Sequence, residues 1–337
     1  MGNTKRLGGQ TVCFTGMPTI VGAAAVVGPK EAEGPLGNDF SQAETDPLLG
    51  QESWEKAESM LFTKAVTACL GKCNLAPSEV NYMVAGDLLN QCTASSFGLR
   101  SLGVPYLGIY GACSTMAEGM SIAAMLVDGG YAGNVVAAAG SHFCSAEKQY
   151  RFPLEYGGQR PPSAQWTVTG CGALLVGNGG KVKITHATTG RIEDMGIRDA
   201  SNMGAAMAPA FVSTVKAHFE DTGRTPGDYD LILSGDLGAI GKEIATELLD
   251  SEGYTMGDAY KDCGMMIFDS KKQDTHAGGS GCGCSASVLC GHILPLMEQK
   301  KIHRLLFVAT GALLSPLTTL QGESIPAIAH AVSLETE

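Results

Sequence analysis

Short apolar runs alternate along this chain with longer stretches in which apolar residues recur at helical spacing. Residues 11–15 (TVCFT) and 22–27 read as strands. Residues 53–72 place Trp54, Ala57, Leu61, Ala65 and Ala68 along one face, the signature of an amphipathic helix. Residues 80–85 predict a strand that ends in Gly86-Asp87-Leu88, and residues 93–102 a shorter helix. The run 105–110 reads as a buried strand. It leads through Gly111-Ala112-Cys113 into a segment with Met116, Met120, Ala123, Ala124 and Val127 on one side. Gly129-Gly130 stops that helix, and 134–139 is a second strand of the kind buried on both faces. Residues 141–148 and a loop through Arg151, Arg160, Pro161 and Pro162 precede a strand pair or one long strand at 165–176 and a Gly-Asn-Gly-Gly turn.

The second half repeats the first. A strand at 181–187, a helix at 205–222 and a strand at 229–234 lead to Gly235-Asp236-Leu237, the tripeptide already met at 86–88. A helix at 239–249 follows, then a glycine-rich run, Gly278 to Cys284, before a helix at 285–299 and a strand at 305–310. Cys113 to Gly140 spans 27 positions, as does Cys284 to Gly311, and Cys-Ser opens each interval. Matched landmarks in matched order indicate an internal duplication, divided here into 1–180 and 181–337. Alternating strands and helices imply parallel sheets covered by helices. Two such halves about a pseudo-two-fold bring the Cys-bearing helix starts towards one shared cleft, where a ligand belongs.

Composition narrows the function. Only 17% of residues are charged, against roughly 25% in an average domain, so much of the chain is available for core. A net charge of −11 argues against nucleic acid and against docking on anionic lipid. No apolar run reaches the about 18 residues that cross a bilayer. The opening residues lack a signal-peptide core, and Arg6 breaks the myristoylation pattern, so neither processing step is expected. The eleven cysteines are expected to be reduced thiols. Cys282 with Cys284, and Cys69 with Cys73, have no second pair at zinc spacing, so no metal site is expected.

Chemistry concentrates at Cys113. A cysteine where a strand turns into a helix faces free N–H groups, which favours thiolate over thiol and offers donors to an anion. Burial as a small apolar residue is the alternative. His142, after Ser141 at the end of a buried strand, either turns into the cleft or sits hydrogen-bonded in the core. Lys148, Arg151 and Arg160 are candidate cations for an anionic ligand, Arg being suited to planar carboxylates. Asp87 and Asp236 most simply cap the helices after them. Cys282, Gly283 and Cys284 are expected to line the same cleft, with tight small-residue packing as the alternative.

The run GACSTMAEGM (111–120) after a strand, followed by a second half containing GCGCSASV (281–288), resembles the thiolase-like superfamily. Within it, SHFCSAEKQYRFPLEYGGQRPPSAQWTVTG (141–170) and AGGSGCGCSA (277–286) are similar to the stage V sporulation protein AD family, over essentially the whole chain. The resemblance implies a thiolase-like α/β fold, a five-layer αβαβα sandwich of two similar halves about a pseudo-two-fold. Condensing members carry a nucleophilic Cys at the position of Cys113. Type-III ketoacyl synthases also carry a His in a His-Gln-Ala-Asn motif, where this chain has Leu233-Ser234-Gly235-Asp236, and an Asn that falls on Cys282. His276 stands nearby, so a displaced His is left open. Losing such oxyanion donors forgoes a factor of roughly a hundred or more each.

What the resemblance implies is a non-enzymatic protein binding dipicolinic acid (pyridine-2,6-dicarboxylic acid) through Cys113, His142, Ser141, Cys282, Gly283, Cys284, Arg151 and Arg160. It would serve dipicolinate uptake into the developing spore and its release in germination. No cofactor is implied beyond calcium entering as the dipicolinate chelate, a point left open with homodimerisation. The implied partners are the other stage V sporulation A membrane proteins, with this chain peripheral on the forespore or spore inner membrane. Two alternatives stay open: an acyltransferase with Cys113 as nucleophile, and a scaffold with a vestigial cleft.

Overall fold

The computed structural model describes residues 5–150 and 160–336. Its strands are β1 (Thr11–Cys13), β2 (Thr19–Val27), β3 (Gln42–Ala43), β4 (Tyr82–Gly86), β5 (Tyr106–Gly108), β6 (Val135–Ser141), β7 (Trp166–Thr167) and β8 (Gly170–Gly177), then β9 (Val182–Thr188), β10 (Leu231–Ser234), β11 (Tyr260–Asp262), β12 (Gly279–Ser280), β13 (Arg304–Ala312) and β14 (Ala327–Glu335). The helices are α1 (Pro29–Ala32), α2 (Trp54–Cys73), α3 (Thr93–Leu99), α4 (Thr115–Asp128), α5 (Phe143–Tyr150), α6 (Met203–Thr222), α7 (Gly238–Ser251), α8 (Cys263–Ile267), α9 (Cys282–Val288), α10 (Leu294–Glu298) and α11 (Pro316–Leu320).

The sheet order β11-β10-β13-β14-β9-β2-β8-β6-β4-β5 reads as one five-strand plan used twice. Outward from the centre it is β2-β8-β6-β4-β5 on one side and β9-β14-β13-β10-β11 on the other, so the elements correspond in chain order. Only Thr19↔Lys183 and Ile20↔Val182 join β2 to β9. β1 belongs to the first half in sequence yet pairs with β9 of the second.

Helices α2 and α3 cover the outer face of the first sheet, α6 and α7 that of the second, and α4 and α9 lie between. Each outer helix follows its local chemistry. Ser53 caps α2 by accepting from the Lys56 amide (3.3 Å), and Leu61, Phe62, Ala65, Val66 and Cys69 are fully buried along it. The central helices are buried almost all round, so they carry small residues and flexible Met rather than one apolar stripe. All seven residues of α9, CGCSASV, are buried. A Cβ at Gly283 would lie 2.3 Å from the Gly170 carbonyl oxygen, and one at Gly172 would lie 2.3 Å from that of Ala286. On the opposite side, a Cβ at Gly311 would lie 2.3 Å from the Gly111 oxygen and 3.1 Å from the amide nitrogens of Cys113 and Ser114. Each central helix start is thus seated on the other half's sheet.

Several expectations change. The run 105–110 is an edge strand, not a buried one: β5 has Leu107 42% exposed because it pairs only with β4. Residues 143–150 form helix α5, where the sequence shows no helical apolar stripe because only Ser145 and Ala146 are buried. The last central helix begins at Cys282 rather than Ser285. Asp87 does serve the helix after it, accepting from the Ser95 amide at 2.8 Å. Asp236 does not: the start of α7 is held by Asp262, which accepts from the Leu237 and Gly238 amides at 2.9 and 3.1 Å.

Gly311→Ala is expected to destabilise the chain by about 2–4 kcal/mol, since backbone rather than a movable side chain blocks the added methyl. Denaturant unfolding beside a Gly9→Ala control, whose added Cβ meets nothing within 4 Å on a backbone that any residue adopts, isolates crowding from the loss of a glycine.

Candidate functional site

A cavity of about 150 Å³ lies where the two halves meet, with Cys113 in its wall. Leu88, Tyr110, Ala146, Tyr150, Met203 and Leu314 supply most of the apolar surface. Thr167, Ser201 and Ser280 bring hydroxyls, and Glu147 a carboxylate. Both halves contribute, and α5 forms one wall through Ala146, Glu147 and Tyr150.

Cys113 is held by a 3-10 turn, Ala112–Ser114, that runs directly into α4. Ala112 takes the left-handed conformation (φ 49°), unusual for a residue with a Cβ. Its carbonyl accepts from the Thr115 hydroxyl at 2.6 Å and from the Cys282 thiol at 2.9 Å. The second contact ties the start of α9 to the turn bearing Cys113, so the two helix starts do converge.

The thiolate expectation fails for a physical reason. Burial pushes the Cys113 thiol well above its ordinary range, and the nearby Asp236 carboxylate, to which the thiol is hydrogen-bonded, raises it further. The helix start is outweighed by desolvation and a like charge. Asp236 is itself fully buried, and burial raises its carboxyl to about 6 although donors surround it. Its oxygens accept from the Gly281 amide (2.9 Å), the Ser280 hydroxyl (3.0 Å) and the Thr310 hydroxyl (2.8 Å). Gly281 reaches Asp236 with φ 98°, a conformation open to glycine. The sequence hides this role because a carboxylate after a strand reads locally as a helix cap, and only tertiary structure supplies Asp262 for that task. The repeated Gly-Asp-Leu tripeptide is the signal that marks the position.

The other candidates separate. His142 is buried away from the cavity wall. Its Nε2 donates to the Pro47 carbonyl at 2.7 Å and its Nδ1 accepts from the Cys144 amide at 3.1 Å. Burial lowers its pKa, which keeps the ring neutral. Ser141 donates to the Val168 carbonyl (2.7 Å) and accepts from the Gly283 amide (3.0 Å), a link between β6 and α9. Cys284 faces the Gly235 carbonyl at 3.6 Å. Arg160 donates to the Gln165 carbonyl and lies over the Trp166 ring at 4.9 Å. Lys148 pairs with Glu55 at 2.5 Å, and His276 lies 3.7 Å from Asp274. Arg151 falls outside the described residues. Of the predicted set, Cys113 lines the cavity, with Cys282 against its turn. Tyr110 and Tyr150, hydroxyl to hydroxyl at 3.1 Å, complete a wall that the sequence reading does not assign.

A buried thiol bonded to a carboxylate is a poor nucleophile, because catalysis needs a group that removes the proton and an arrangement that favours the anion. Among the described residues, no group of three or more His, Cys, Asp or Glu is arranged to hold a metal ion.

Comparison with known proteins agrees with this architecture. The sequence model for stage V sporulation protein AD matches residues 8–335. The chain is 45% identical over 332 residues to the stage V sporulation protein AD of Bacillus subtilis, covering 98% of each. Among solved structures it is similar to 3-oxoacyl-[acyl-carrier-protein] synthase III from Aquifex aeolicus, with a TM-score of 0.58, 14% identity and coverage of 94% of this chain and 99% of that one. A variant of OleA from Xanthomonas campestris gives 0.62, 14%, and 96% and 99%. Likeness at that identity establishes a thiolase-like fold and nothing further.

Asp236→Asn is expected to lower the Cys113 pKa, because a negative neighbour is removed while burial remains. Alkylation of Cys113 measured against pH, read by peptide mass, should shift to lower pH and run about tenfold faster near neutrality. An unchanged profile would remove Asp236 from the account of this thiol.

Proposed function

The chain belongs to the stage V sporulation protein AD family, and from that premise we propose that its cavity binds dipicolinic acid without transforming it. The bound acid is then handed to, or received from, spore membrane channel proteins, in uptake during sporulation and release in germination. The observation that carries this reading is the cavity itself. At about 150 Å³ it matches the size of cavity that takes one benzene-sized ring. Dipicolinic acid is one pyridine ring with two carboxylates, which suits apolar walls, two tyrosine rings and the hydroxyls of Thr167 and Ser201. Pairing of Cys113 with Asp236 supports binding over catalysis, since it opposes formation of the nucleophile.

Among the described residues no helix is long and apolar enough to cross a membrane. Contact with the forespore or spore inner membrane therefore runs, in this reading, through the other stage V sporulation A proteins. One observation favours a second reading, an acyltransferase: Cys113 remains on the cavity wall at the start of a central helix, where condensing enzymes of this fold carry their nucleophile.

Calorimetric titration with dipicolinate, with and without calcium, is expected to show one site per chain. Ala146→Leu, which fills the cavity, should weaken it at least about tenfold while the unfolding midpoint stays near that of the parent. Absence of binding in both titrations would overturn the proposal. Incubation with acyl-coenzyme A should leave the intact mass unchanged, and an adduct on Cys113 would favour the second reading.

A further inference from the structure

The Cys113 cavity has a neighbour along its tyrosine wall. On the far side of Tyr110 and Tyr150 lies a second chamber of about 280 Å³, which also shares Leu314 with the inner cavity. Asn90, Gln91 and Cys92 form part of its wall. The two tyrosines are a partition between the chambers.

Helix α5, which carries Tyr150, is held very differently at its two ends. At the root, the Phe143 amide donates to the Thr169 hydroxyl (3.1 Å), His142 is bonded to Pro47, and the Phe143 ring stacks on Trp166 at 3.8 Å. Ser145, one turn on, donates to the buried Glu58 carboxyl. At the far end the Tyr150 ring rests against the main core, and the polar hold is a few exchangeable hydrogen bonds. Gln149 donates from Nε2 to the Leu88 carbonyl (2.9 Å), and its Oε1 accepts from the Asn90 amide (3.1 Å). The Tyr150 hydroxyl donates to that same Leu88 carbonyl (2.5 Å) and meets the Tyr110 hydroxyl. Lys148 adds an ion pair with Glu55 on the surface, where such pairs are weak.

The receiving turn is strained. Gln91 and Cys92 are consecutive left-handed residues, with φ 58° and 51°, and neither is glycine. Such strain persists only while neighbours hold it, so this turn favours relaxation when the bonds from Gln149 and Tyr150 part.

We propose that the last turn of α5 is a latched door, with Tyr150 closing the Cys113 cavity from the outer chamber and ligand passing when that turn releases Leu88 and Asn90. This rests on reading the cavity as a ligand site, and it adds how that site is entered. The consequence is kinetic: latch residues set the rates of entry and exit more than the affinity.

The test needs no ligand in its first arm. Brief exposure to N-ethylmaleimide, followed by peptide mass analysis, reports access to Cys113 in the wild type, Gln149→Ala and Tyr150→Phe. Each variant removes two latch bonds, so labelling of Cys113 should run about tenfold faster, while that of half-buried Cys73 on α2 stays constant. Unchanged labelling of Cys113 in both variants overturns the door, as does equal acceleration at every cysteine, which marks general loosening. In the second arm, stopped-flow mixing of Gln149→Ala, a residue outside the cavity wall, with dipicolinate should show both rate constants rising together, with Kd moving by less than about threefold. Kd rising with the association rate unchanged overturns the door in favour of direct ligand contact. Faster labelling of Cys113 in a protein whose wild type binds no dipicolinate supports the door and fails the ligand assignment instead.

Discussion

Backbone meets backbone at the centre of this molecule, and the rest of the fold is arranged around that approach. The turn bearing Cys113 rests on Gly311 of the opposite sheet, and the start of α9 rests on Gly170. No side chain fits between them, which explains why the turn before α4 and the start of α9 are written in Gly, Ala, Ser and Cys. Burial of a few large residues cannot replace this contact, since a Cβ is already too much. The seating also fixes where Cys113 lies, because Cys282 reaches across from the other half to bond Ala112.

Convergence has an electrostatic cost that shapes the chemistry. Asp236 is drawn into the same dry space and satisfied by Gly281, Ser280 and Thr310, so it stays beside the thiol as a fixed partner. A helix start alone favours an anion by a few tenths to about one kcal/mol, whereas a buried carboxylate and the loss of water act together against it. The fold retains the position of a nucleophile and surrounds it with groups that oppose nucleophilicity.

Much of the fold was legible because periodicity and burial coincide in it. The face of α2, the glycine stop after α4 and the double Gly-Asp-Leu landmark all follow from local pattern. Elements defined by tertiary contact were not. In α5 the sequence FCSAEKQY carries too short an apolar stripe, since its cavity face is made by Ala146, Glu147 and Tyr150. An apolar run cannot say whether it is central or marginal, and β5 is such a run at the edge of the sheet. β14, AIAHAVSLE, pairs with both β13 and β9, although its local pattern alone predicts no element there. For the site, Cys113 was readable from its strand-to-helix turn. His142 followed its core alternative, because Pro47, distant in sequence, supplies the acceptor.

Strand β1 alters what the duplication means. Thr11–Cys13 lie against Ala187, Thr188 and His186 of the second half, and the Thr11 hydroxyl meets that of Thr188 at 2.9 Å. A fragment cut between the repeats would leave β9 with a bare rim of unpaired amides and carbonyls, inviting association with whatever strand is at hand. The repeated plan has been stitched into a single cooperative unit by its own leading strand, and neither copy remains a free-standing module.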